Sequence, residues 1–466
     1  MIVGTNESGL SLSDHLTSLL ALAEKPAADA GELDANLRQV YAALFQLDLK
    51  AFDISNLANE APGLMSALFE GRGRLRDKVL YWQTYGYMTR PVQIALRDVF
   101  RIFRYATDMI GEAASGFERL AEGEKPLRAF TGYRHNTQIH PAYTGTGNIA
   151  FRSGDVLLVR GRAHNSAAIA RIGDVDTQFS HIGMVHVNGE GRHTMVEALI
   201  EDGAVINMLE RSLGHGLGRA ALYRHRDSAL SARAADKIHA RVSASHRGWW
   251  ARRILYDFTM RLNGTRRLFC SKLVHLAFKD ASGGKAVPPP YLTRLDMKNQ
   301  DFFQRIGVKA KETFAPGDID LDPSFELVAE WQDFRVTPDL RMQDMIMTKV
   351  FAWMDDHGAR FKEDWLIGLI GVFGRFSASM SEGVKDLLAD VVPKVPPNMS
   401  RRCIKTIAML HKTGEGLMPS LRELELSAIR MSGRPLHPRD ALAHLERLRD
   451  VSGGRIGYLV WSTKQY

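Results

Sequence analysis

Two cysteines, Cys270 and Cys403, stand in this 466-residue chain, and only the first has a setting suited to chemistry. Cys270 lies in Phe269-Cys270-Ser271-Lys272-Leu273-Val274. Ahead of it Gly264, Thr265 and two arginines give way to a helical pattern that begins at the cysteine. A thiol in the first turn of a helix faces unpaired backbone N–H groups and the positive end of the helix dipole. Both favour the thiolate, the form that attacks a carbonyl carbon. The same N–H groups can hold the oxyanion that such an attack creates. A lone cysteine is more often a packed apolar side chain, so the reading needs a base.

His181 is the best placed of the 16 histidines, because it opens the strand-like run Ser180-His181-Ile182-Gly183-Met184-Val185. A strand end holds an imidazole rigidly, and Gly183 lets another element approach closely. His275 falls about 140° around the helix from Cys270, and His186 lies on the opposite strand face from His181. His164, His193 and His215 read as loop residues. The third member should accept the far N–H of the imidazole. Glu197 fits: it sits inside Val196-Glu197-Ala198-Leu199, where an unpartnered carboxylate would cost free energy. Asp202, in Glu201-Asp202-Gly203, is better explained by turn chemistry.

These residues need a scaffold that sets one strand end against one helix start. Val156–Val159, Ile182–Val187, Met195–Ile200 and Val205–Met208 read as short strands, with Asp202-Gly203 as a hairpin turn. Ser228–Ser245 and the segment after Cys270 read as helices. Strands without regular alternation with helices point to an α+β domain with a small antiparallel sheet. Before it, Val92, Leu96, Val99, Phe103, Ala106 and Ile110 repeat at helical spacing, and Pro91 marks a helix start. After Trp331, Met342–Met354, Trp365–Phe376, Val384–Val391 and Ile404–Leu410 read as helices. The expected organisation is a helical region over 1–145, a catalytic domain over 146–335 and a second helical region over 336–466, with a loop-like boundary at Asn136–Ser153.

Composition narrows the classes. Hydrophobic content of 45% and charged content of 24% are ordinary for a globular chain. A net charge of +8 favours acidic partners only weakly, and no nucleic acid is expected. Lys and Arg crowd Gly71–Tyr105 among Tyr81, Trp82, Tyr85 and Tyr87. That pattern suits a solvated helix face with core aromatics better than an anionic lipid surface. Two cysteines make neither a disulfide framework nor a four-cysteine zinc site. Glu7 and Asp14 stand where a signal peptide would be basic, and the longest apolar run, Trp365–Phe373, is about half a membrane span. The expected location is the cytoplasm, with secretion lacking a Sec signal left open.

Set in order, the phrases Ser153-Gly154-Asp155-Val156-Leu157-Leu158, Ser180 to Val185, Val196-Glu197-Ala198, Tyr256-Asp257-Phe258 and Phe269 to Val274 resemble one family. It is the permuted NlpC-type papain-like cysteine hydrolases, in particular their YiiX/YebB-like branch. Pro316-Gly317-Asp318-Ile319 and Phe325 to Trp331 resemble its C-terminal part. In papain the cysteine helix precedes the histidine strand; here the strand comes first, as in the permuted branch. The resemblance runs from Thr146 to Phe334. It implies a Cys270–His181–Glu197 triad, and a substrate pocket that Tyr256, Asp257 and Ser271 help to line. Two positions depart from the pattern. Lys272 stands where the family usually has an acidic residue, and Asn263 and Gly264 stand where an Asp is usual.

The implied chemistry is acyl transfer through Cys270, with no metal or organic cofactor needed. A hydrolase of amide, ester or thioester bonds is the first expectation, with a peptide, lipid or acylated molecule as substrate. A fatty acyltransferase in peripheral contact with a membrane would use the same triad. A helical binding protein with an inactive papain-like module is the non-enzyme alternative.

Overall fold

The computed structural model describes residues 11–121, 123–132, 135–146, 149–214, 216–247, 252–298, 300–363 and 396–462. Four helices come first: α1 (Leu12–Glu24), α2 (Ala30–Phe45), α3 (Leu57–Thr84) and α4 (Arg90–Ala114). Their starts are chemically marked. Ser11 caps α1 through the Asp14 amide, Asp29 caps α2 through Gly31 and Glu32, and Pro91 occupies the first turn of α4. The helical stripe behaves as its spacing requires: Val92, Leu96, Val99, Phe103 and Ile110 are buried, and Ala106 is half-buried.

The centre is a seven-stranded antiparallel sheet. In chain order its strands are β1 (Thr137–Ile139), β2 (Val156–Gly161), β3 (His181–Val187), β4 (His193–Leu199), β5 (Gly203–Met208), β6 (Leu217–His225) and β7 (Phe325–Gln332). In space they run β1-β7-β6-β2-β3-β4-β5. Helix α5 (His164–Ala170) links β2 to β3. Helices α6 (Ser228–His246) and α7 (Cys270–Ser282) pack together against β3 and β4. After a short helix α8 (Gln300–Ile306) and β7, the chain forms α9 (Thr337–Asp356), α10 (Arg401–Ser432) and α11 (Pro438–Val451). The expected helices at Trp365–Phe376 and Val384–Val391 lie outside the described residues.

This sheet is larger than the small one expected. β6 was hidden because Arg219 and Arg224 break its apolar run, yet every residue of the strand is buried. Arg219 pairs with buried Asp108 of α4. Arg224 grips Asp155 with two bonds, Nε to Oδ1 at 2.8 Å and Nη2 to Oδ2 at 2.7 Å, so the Asp of the Gly154-Asp155 phrase is an internal anchor. Gly154 adopts φ +86°, and a Cβ there would fall 1.9 Å from Ser231 Oγ. The loop-like run 136–153 also holds a strand: β1 pairs with β7, Thr137 opposite Trp331.

Half of the basic stretch of α3 and α4 is not a solvated face. Arg72, Arg76, Arg97 and Arg104 are buried. Arg72 and Arg104 meet Glu330 of β7 at 2.6 and 3.3 Å, Arg104 also meets Asp320 at 2.9 Å, and Arg97 meets Asp318 at 2.8 Å. Arg76 donates to the carbonyls of Ile319, Asp320 and Phe325. Exposed aromatic surface does remain on this helix end, at Tyr81 and Tyr85. The N-terminal helices share one apolar core with α9, α10 and α11, while α6 and α7 cover the sheet with a second.

Candidate active site

β3 opens at His181 and β4 carries Glu197. Met184 pairs with Val196, so one further step sets Glu197 opposite Gly183 and diagonal to His181, within reach of long side chains. Gly183 is required there: a Cβ would come 2.2 Å from Met195 Cε. His181 Nε2 lies 2.7 Å from Glu197 Oε2. The other Glu197 oxygen accepts from Asn207 Nδ2 and from Ser212 Oγ, each at 2.9 Å. Burial alone would raise the Glu197 carboxyl. The His181 ring and these two donors outweigh it and hold the group below the usual carboxylate range.

With Nε2 committed to Glu197, Nδ1 of His181 is the ring nitrogen left to serve Cys270. Cys270 is the first residue of α7, and Phe269 ahead of it supplies no side-chain cap. The first-turn N–H groups therefore point into the site without a partner from that residue. Burial works against ionising the thiol. The imidazole's hydrogen bond and charge, the Ser271 hydroxyl and the Ile182 amide win, and the thiol sits below its ordinary value. His181 moves the opposite way. Burial disfavours its charged form, but Cys270 and Glu197 on its two sides push it up to about 10.

Cys403 is the contrast. It too is buried, but desolvation is the cause acting on it, and its thiol is pushed up to about 12.

Beside Cys270 opens a cavity of about 370 Å³. Tyr256 and Ser271 lie in its wall, as the resemblance implies, together with Phe269, Ile200 and Phe258. Asp257 does not. Its carboxylate takes the Lys272 ammonium at 2.7 Å and the Thr259 amide and hydroxyl at 3.1 and 2.6 Å, all within buried surroundings. The unusual Lys272 thus has its counter-charge in Asp257, one of the residues expected at the pocket. The Asp257 carboxylate closes a turn instead.

The rival histidines are occupied elsewhere. His275 Nδ1 faces the Pro288 carbonyl at 2.9 Å, and His186 stacks on His239 at 3.9 Å. His164 and His193, read as loop residues, open α5 and β4, and His215 lies outside the described residues. Asn207 and Ser212 escaped the sequence reading. Asn207 could have been found by alternation, since it follows two places after Val205, the partner of Glu197; Ser212 carries no such signal. Among the described residues no cluster of three or more His, Cys, Asp or Glu could hold a metal ion. Among them, too, no helix is long and apolar enough to cross a membrane.

Residues 150–329 match the family described as permuted papain-like amidase enzymes, YaeF/YiiX. No curated protein and no solved structure matches the chain.

Proposed function

We propose that this chain, whose residues 150–329 match the permuted papain-like amidase family YaeF/YiiX, opens an amide, ester or thioester bond through an acyl-enzyme on Cys270. The observation that carries the reading is His181 Nε2, 2.7 Å from the Glu197 carboxylate, on the imidazole whose presence lowers the Cys270 thiol. His181 takes the thiol proton. The thiolate attacks the substrate carbonyl, a carbon–sulfur bond forms, and first-turn N–H groups of α7 take the oxyanion. As the tetrahedral species collapses, the bond to the leaving group breaks and His181 passes it the proton. Water then enters, gives a proton back to His181 and releases the acid. Glu197, fixed by Asn207 and Ser212, keeps the ring in the tautomer and orientation these transfers need.

An amine in place of water would make the same intermediate an acyl donor, and the apolar character of the cavity favours keeping this second reading. Peptide, lipid and acylated molecules are the substrate classes to compare. Against the inactive-binder reading stands the presence of Cys270, His181 and Glu197 together, with His181 paired to Glu197.

The test is direct. An acyl-thioester probe and iodoacetamide should each modify Cys270 in the native protein, located by peptide mass spectrometry. Added amines should divide the probe's acyl group between hydrolysis and amide formation if transfer occurs. A native protein whose Cys270 reacts no faster than Cys403 would remove the nucleophile.

A further inference from the structure

We propose that a second cavity, toward the far end of α7 from Cys270, binds a small free α-amino acid. The cavity measures about 240 Å³ and opens between the end of α3, the loop after α7 and the turn into β7. Gln83, Lys285, Pro288, Asp322 and Phe325 stand in its wall beside His225, the last residue of β6. The His225 ring lies 5.0 Å from that of Phe278, eight residues along α7 from Cys270. Eight residues are about 12 Å of helix, so this site is separate from the triad.

Two buried groups define what fits. Asp322 and His225 are only 4% and 8% exposed. Asp322 Oδ1 accepts from the Ser324 amide at 2.9 Å, while Oδ2 has no hydrogen-bond donor among the described residues. Arg76 reaches the Asp322 carbonyl at 3.4 Å but makes its ion pair with Asp320. A buried carboxylate with no cation against it is costly, and an incoming ammonium supplies the missing charge. His225 sets the second requirement. The Asp227 amide donates to its Nδ1 at 3.0 Å, so the neutral ring carries its hydrogen on Nε2. That N–H has no acceptor among the described residues, and an α-amino acid brings a carboxylate oxygen next to its ammonium. Lys285, on the exposed rim, offers the same carboxylate a charge. Pro288 and Phe325 leave an apolar wall for a short side chain. At roughly 30 Å³ per water-sized unit, 240 Å³ holds about eight non-hydrogen atoms, the size of a small amino acid.

Titration calorimetry on the full chain at pH 7 tests this with L-alanine, L-alanyl-L-alanine, ethylamine and propionate. Alanine should give saturable heat. Ethylamine and propionate, each with half of the recognised groups, should bind at least about tenfold more weakly. The dipeptide should also bind more weakly than alanine. Asp322→Asn keeps an acceptor for the Ser324 amide and should weaken alanine at least about tenfold. Lys285→Ala changes only the exposed rim, where folding is not at stake. It should weaken alanine about threefold and leave ethylamine as it was. No saturable heat from alanine at about 10 mM overturns the proposal. So does propionate binding as tightly as alanine, or an Asp322→Asn protein that binds alanine like the parent. A dipeptide tighter than alanine would assign the cavity to peptide amino termini and overturn the free amino acid.

Discussion

Two groups of charges are buried in this molecule, one at the interface of α3 and α4 with β7 and its preceding turn, the other where α7 meets β3. In the first, the cations are arginines: Arg72 and Arg104 on Glu330, Arg97 on Asp318. In the second the titratable pair is His181 and Cys270, the imidazole held above its ordinary value and the thiol below. Both meet the same demand, that a buried charge be paired. They differ in whether the proton can move. A guanidinium does not give up its proton in a protein, so the first group can only fix geometry. The imidazole and the thiol are shifted in opposite directions, His181 up and Cys270 down, and both can exchange a proton. The arginine network is the frame, and the proposed triad is the part of the same architecture in which charge can travel.

The largest expected effects separate these roles. Cys270→Ala or His181→Ala should lower kcat/KM by about 10⁴-fold or more, and Glu197→Gln by about 10² to 10⁴-fold. The loss of activity should far exceed any loss of stability read from their urea-denaturation midpoints. Arg97→Met should behave in the reverse way. It leaves Asp318 buried with only the Thr293 and Ala315 donors, and the expected loss is about 3–5 kcal/mol of stability. Adding Asp318→Asn should restore much of that, and an Arg97→Met protein as stable as the parent would dissolve the distinction.

Next in size is the contrast between the cysteines. At pH 7 Cys270 should alkylate at least about a hundredfold faster than Cys403, whose thiol burial has pushed up to about 12. His181→Ala should narrow that ratio. Equal rates would mean that the α7 setting does nothing for the thiol.

The smallest effect is on pH dependence. His181 is raised to about 10 in the fold, against roughly 6.5 unfolded. The stability it contributes is therefore fully present below about 6.5 and is lost as pH rises through about 10. The thermal midpoint of the parent should fall over that window more than that of His181→Ala. Amide hydrolysis should lose its acid catalyst over the same alkaline limb. Parallel curves for parent and variant would show that the ring is not held charged.

Much of the site was legible because each member carried a local anomaly: a cysteine where a helix begins, a histidine where a strand opens, a carboxylate inside an apolar strand. What was not legible depended on partners distant in sequence. Arg219 and Arg224 looked like interruptions of a strand until Asp108 and Asp155 were beside them. The arginines of α3 and α4 looked like a basic surface until the sheet covered them. Asp257 looked like pocket lining because the family phrase includes it, but Lys272 claims its charge. Ile407 and Leu410 of α10, in the wall of the cavity beside Cys270, had nothing but helical spacing to mark them, and no local pattern says that a helix wall faces a cavity. The hydrogen-bond partners of Glu197 fall between these cases, one readable by strand alternation and one not.

The pairing of β1 with β7 bears on how the molecule can be taken apart. The residues shared with the family begin at 150 and end at 329, yet β7 continues to Gln332 and is flanked by Thr137–Ile139. A fragment cut at the family's limits would lose the tip of one strand and the whole of its neighbour. An open rim of unsatisfied backbone would remain, a template for joining other copies edge to edge. It would also forfeit α4, whose Arg97 and Arg104 neutralise Asp318 and Asp320. The stretch that matches the family is thus smaller than the set of elements packed around it, and fragments for expression should reach from α3 at least through α10.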